Sequence, residues 1–169
     1  MIHCIKFLLL GLLLILVLIS DIRTRKIKNL IVFPFMLIGL LISLCDSGMP
    51  GIIKASWGIV FPVLILFPLF LLKMLGAGDI KCFCAIGAIM GDSFVTNSII
   101  YSFVTGGVLA LIIMIVNKNA VKRFRHLIVY LKTCFLTFSF SQYDNFNTSN
   151  GVFRFSYAII LGVSLQFIK

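Results

Sequence analysis

The sequence predicts an all-α, polytopic membrane protein with six transmembrane helices, both termini outside, and a short fourth helix that starts at a glycine-rich turn. Three observations point there. Hydrophobic residues make up 61% of the chain and charged residues 12%, with a mean hydropathy of +1.17. That is more apolar surface than one soluble core of 169 residues can hide. The apolar residues form long runs separated by short polar breaks, and about 20 helical residues are needed to cross a roughly 30 Å hydrocarbon layer. The cations collect in alternate breaks, as they do in loops retained on the cytoplasmic face.

One membrane-embedded domain therefore covers residues 1–169, with spans near 5–20, 30–45, 52–72, 80–95, 98–116 and 152–168. The first run, Ile5 to Ser20, is interrupted only by Lys6 and is followed by Arg23, Arg25, Lys26 and Lys28. A signal peptide carries its charge before the apolar region and ends in a small-residue cleavage site, so this run reads as a retained helix. Asn29 suits the N-cap of the second span, because its short side chain can accept from an orphan backbone N–H. Asp46 to Gly51 makes a tight turn, and the third span, 52–72, carries Pro62 and Pro68 as expected kinks.

Ile80 to Met90 covers only about 16 Å as a helix. Either the next residues extend it, as in the 80–95 boundary, or it starts below the interface beside Asp79. Irregular backbone at such depth is tolerated only where it lines a wet cavity or is buried in protein. In the fifth span Gly106 and Gly107 allow a neighbouring helix to approach closely. Val121, Phe124, Ile128, Leu131 and Phe135 share one helical stripe among cations, which reads as a cytoplasmic amphipathic helix over 120–136 lying in the interface; a solvated basic loop is the plainer alternative.

Fifteen Lys and Arg against five Asp give a net charge of +10. Without a basic, aromatic-interleaved soluble module this reads as affinity for anionic lipid rather than nucleic acid. Lys6, Lys54 and Lys169 fall on the outer side and the other cations fall in or beside the odd-numbered connections, which puts those connections in the cytoplasm. Cys4, Cys45, Cys82, Cys84 and Cys134 form no metal-ligand or disulfide pattern, so they read as small buried hydrophobes, and no metal or cofactor is expected. Nothing in the sequence speaks to oligomeric state.

The same topology sorts the acids. Asp21 and Asp79 fall at the cytoplasmic ends of spans one and three, Asp46 and Asp92 fall outside, and Asp144 lies in a polar linker. A carboxylate beside membrane-length apolar sequence is costly and points to function. Two carboxylates held close together cannot both ionise easily, so the ionised one can take a proton from water while the neutral one donates to a carbonyl oxygen. Plainer readings stand beside this one: Asp79 as a helix cap after its glycine turn, and Asp21 as an ion-pair partner of Arg23 or Arg25. A small ion- or proton-coupled transporter subunit, with an acid on a half-helix at depth, and a non-catalytic assembly scaffold are the functional alternatives. His3 and His126 offer no partner for a serine or thiol nucleophile.

Gly76-Ala77-Gly78-Asp79, a G-x-G-D motif, is followed by Ile80-Lys81 and a small-residue helix from Ala85 to Gly91. This stretch resembles the second catalytic region of the type IV prepilin peptidases. Asp21 to Asn29 resembles the first, with Lys28 where the family has Pro, and Arg154 to Ala158 resembles the start of the last helix. The resemblance implies an intramembrane aspartic endopeptidase with Asp21 and Asp79 as the catalytic pair and with Gly76, Ala77, Gly78, Lys81 and Asn29 in support. It implies a prepilin or pseudopilin substrate, whose basic leader is cut at the cytoplasmic face of a bacterial inner membrane. With no insert between the first spans, the chain is similar to the short, peptidase-only members associated with tight-adherence pili.

Overall fold

The computed structural model describes residues 2–24, 26–72, 74–116 and 155–166. Regular structure among them is entirely helical: α1 (Ile2–Thr24), α2 (Asn29–Leu71), α3 (Ala77–Met90), α4 (Asp92–Val116) and α5 (Phe155–Gln166). Three helical stretches are long and apolar enough to cross a membrane, Ile2–Thr24, Asn29–Leu71 and Asp92–Ile113. The amphipathic stretch expected over 120–136 lies outside the described residues, as do the ends of the sixth expected span.

α2 is 43 residues long but does not run straight. Gly48 adopts φ 63° and ψ −140°, a conformation that glycine reaches at little steric cost. Beyond it the chain doubles back, so that a Cβ on Gly51 would overlap the Ser43 carbonyl oxygen. In a continuous helix those two residues would stand about 12 Å apart along the axis. The turn expected at 46–51 is thus a reversal between two antiparallel halves. Pro62 and Pro68, the expected kink positions, both lie inside the second half, and Gly48 is the position with non-helical backbone angles within α2. The expected cap at Asn29 is also revised: Lys28 is the N-cap, without a side-chain cap bond, and Asn29 is the first helical residue.

α3 is the centre of the bundle. Ile80 and every residue from Cys82 to Ile89 are buried, as befits a helix apolar on all sides. Small residues let both halves of α2 close on it. A Cβ on either Gly58 or Gly87 would overlap the other's backbone, and one on Gly39 would stand 2.9 Å from the Ala88 carbonyl carbon. Ser43 Oγ donates to the Ala88 carbonyl at 3.4 Å. The helix ends at Met90, where Gly91 takes φ 91°, and α4 begins at Asp92. The expected 80–95 span is therefore shorter, and residues 92–95 belong to the next helix.

α4 and α5 form a second antiparallel seam. Gly106 faces Ala158 and Phe155, and a Cβ on Gly162 would stand 2.5 Å from the Ser102 backbone nitrogen. Ser98 Oγ donates to Gln166 Oε1 at 2.8 Å, and the Phe103 and Phe155 rings lie 5.4 Å apart. Gly106 thus makes the close approach expected of it, while Gly107 faces open space. Of the cysteines, Cys82 and Cys84 are buried, whereas Cys4 and Cys45 are exposed, against expectation; Cys134 is outside the described residues.

These packings sort the acids by the two ends of the bundle. Lys6 Nζ pairs with Asp46 Oδ2 at 2.6 Å, tying the start of α1 to the reversal in α2. α3 runs alongside the first half of α2 from Asn29 and Lys81 to Ser43 and Ala88. Asp92 therefore follows α3 at the Asp46 end, and Asp79 begins it at the other.

Candidate active site

Asp21 sits three residues before the end of α1 and is 9% exposed. Its neighbour Ser20 donates from Oγ to the Lys26 carbonyl at 3.0 Å. Thr24 Oγ1 reaches the same carbonyl at 2.9 Å. These hydroxyls fold the connection back against the end of α1, and Ile27 is thereby pressed onto the glycine turn. A Cβ on Gly78 would lie 3.0 Å from Ile27 Cβ, so a larger residue at 78 would push the two segments apart. Just beyond, Lys81 Nζ donates to Asn29 Oδ1 at 2.9 Å. The regions around Asp21 and Asp79, remote in sequence, are joined at these two contacts.

Gly76 is the N-cap of α3, Ala77 and Gly78 are its first two residues, and Asp79 is the third. The Asp79 N–H donates to the Gly76 carbonyl at 3.1 Å. In return the Gly76 N–H donates to Asp79 Oδ2 at 3.3 Å, half of a capping box. That bond is long for its type, so the carboxylate satisfies a helix-end donor only weakly.

Among the described residues, the carboxylate of Asp21 does not take up the ion pair considered for it with Arg23. Its Oδ2 accepts from Ser156 Oγ at 2.5 Å, and the ion pair among the described residues is Lys6–Asp46 at the far end. Arg25 is outside the described residues. Ser156, on α5, was noted in the sequence only as part of a helix start; its role at Asp21 has no sequence signal, because 135 residues separate the two. Asp21 Oδ1 has no partner among the described residues, yet no unpartnered side-chain oxygen is sealed from solvent. Solvent therefore has access to it.

The structure gathers the site residues read from the sequence at one end of the bundle: Asp21, Gly76, Ala77, Gly78, Asp79, Lys81 and Asn29. The two acids meet neutral donors, a hydroxyl and a backbone N–H. Such donors steady a carboxylate without cancelling its charge, which leaves it able to exchange protons. A cleft of about 520 Å³ at the opposite end is lined by Trp57, Phe61, Asp92, Ser93, Thr96 and Asn97.

A family model described as the type IV leader peptidase family matches residues 8–111. The match takes in most of α1, all of α2 and α3 and most of α4, hence both acids. No curated protein and no solved structure matches the chain.

Proposed function

Since the chain belongs to the type IV leader peptidase family, we propose that it is an intramembrane aspartic endopeptidase in which Asp21 and Asp79 form the catalytic pair. The observation that carries this reading is the convergence of the two acid-bearing segments at one end of the bundle, through Ile27 against Gly78 and Lys81 on Asn29, with each acid in the company of a neutral donor. One carboxylate is ionised and draws a proton from water, and the resulting hydroxyl attacks the scissile carbonyl carbon. The other, neutral, donates its proton to the carbonyl oxygen. Collapse of the tetrahedral intermediate breaks the C–N bond and delivers a proton to the leaving nitrogen.

The substrate is a prepilin or pseudopilin whose basic leader stays in the cytoplasm while its apolar helix lies in the membrane. The chain crosses a bacterial inner membrane six times, counting the halves of α2 separately, with both termini outside. This orientation rests on the asymmetric distribution of cations. It brings the acids to the depth at which leader and helix meet.

The test is co-expression with a prepilin, comparing wild type with Asp21→Asn and Asp79→Asn at matched membrane levels. Each single substitution is expected to leave the precursor uncut; normal processing by either variant sinks the dyad.

A further inference from the structure

Ser156 is the second residue of α5 and is 2% exposed. Buried hydroxyls on helices usually bond back to their own backbone, as Ser98, Ser102 and Thr105 of α4 do here. Ser156 instead reaches across to α1 and donates to Asp21 Oδ2 at 2.5 Å. Its position is set from elsewhere. α5 is locked to α4 by the Gly106–Ala158 and Ser102–Gly162 approaches, by Thr105 Oγ1 donating to the Ala158 carbonyl at 3.1 Å, and by the Phe103–Phe155 ring contact beside it. The α4–α5 seam therefore delivers one hydroxyl to one carboxylate oxygen.

That placement has a chemical consequence. A carboxylate at the end of a helix can rotate about its terminal bond, and rotation would carry the oxygen that must meet water out of line. A donor fixed on Oδ2 stops the rotation and leaves Oδ1 open. Because the hydroxyl is neutral, the charge on the acid is kept. α5 also lies beyond the residues 8–111 that the family model matches, so this contribution comes from a part of the chain that the match does not cover.

We propose that Ser156 is a positioning residue for hydrolysis, orienting Asp21 so that Oδ1 faces the attacking water. The inference rests on the catalytic pair proposed above. It acts on turnover and not on substrate binding, since Ser156 is buried behind Asp21.

The test uses full-length protein in detergent and a synthetic peptide carrying a basic leader followed by an apolar stretch. Ser156→Ala is expected to lower kcat about tenfold to a hundredfold, the range for a lost hydrogen bond to a charged group, with KM unchanged. Ser156→Thr keeps the hydroxyl and restores most of the rate, whereas its isostere Ser156→Val does not. The Thr and Val variants add the same bulk to a buried site, so comparing them isolates the hydroxyl from any effect on folding. Asp21→Asn serves as the control, and adding Ser156→Ala to it causes no further loss, because the two act as a unit. A Val variant as fast as Thr, or an Ala variant as fast as wild type, overturns the role of Ser156 and leaves the dyad standing. Full activity in Asp21→Asn overturns the dyad itself.

Discussion

Asp46 and Asp21 each accept one short hydrogen bond at opposite ends of the same bundle, at 2.6 and 2.5 Å. The donors differ in charge, and that decides what each acid can do. Lys6 neutralises Asp46 and makes it a tie between α1 and the α2 reversal. Ser156 steadies Asp21 without bringing an opposing charge to it. Among the described residues Asp79 has only the weaker Gly76 N–H, and the nearby ammonium of Lys81 is directed to Asn29 instead. One end of the bundle thus closes its charges off in a pair, and the other gathers two acids that meet only neutral donors among the described residues.

The largest expected effect follows directly. Asp21→Asn and Asp79→Asn should each reduce prepilin cleavage by about 10²–10⁴-fold, the usual contribution of a positioned acid or base. Asp46→Asn should leave it within about twofold. Immunoblots of precursor and mature pilin, at matched enzyme levels, measure all three. If Asp46→Asn is as damaging as the other two, the contrast between the ends collapses.

The glycine seam around α3 sharpens the contrast by its effect on stability. Gly87→Val would drive a side chain into the Gly58 backbone, which cannot retreat as a flexible side chain could. Overpacking of this kind costs about 1–3 kcal/mol and sometimes more. The expected result is a marked fall in the temperature of half-inactivation in detergent. Protein that stays folded should still cut, because Gly87 lies towards the far end of α3 from Asp79.

Those seams also mark how far the sequence could be read. The acids and the G-x-G-D turn were legible because a charge beside membrane-length apolar residues is costly and so stands out. Gly48 was legible within a run of turn-forming residues. Gly58 and Gly87 were not, since a small residue in an apolar helix announces a close approach without naming its partner. Gly91 was read through as helix because only its φ of 91° separates α3 from α4. Asn29 was read as a cap on local grounds, and a contact with Lys81, 52 residues away, took its side chain instead. Ser156 was invisible for the same reason at greater distance.

The Asn29–Lys81 contact offers a smaller effect. Asn29→Ala removes one exposed hydrogen bond and should cost less than about 1 kcal/mol. Cleavage should fall a few-fold at most, measured with the same synthetic peptide. A loss as large as that of Asp79→Asn would mean that Lys81, once released, reaches the acids. The neutrality of their surroundings would then depend on Asn29.

The smallest effect concerns the far end and is best read as a cycle. Lys6→Met leaves Asp46 without its cation, and Asp46→Asn leaves Lys6 without its anion; both side chains are partly buried, at 13% and 22% exposed. Removing one member of such a pair strands the other, whereas removing both leaves no uncompensated charge. Each single variant should therefore lower the half-inactivation temperature slightly, and the double variant should recover most of the loss, with none of the three changing kcat by more than about twofold. The pair sits where α1 meets the α2 reversal, and Asp21 lies 15 residues further along α1, so a change in turnover would have to travel down that helix. If Lys6→Met slows cleavage without altering stability, α1 transmits position from one end to the other, and Asp46 then belongs to the machinery it was contrasted with.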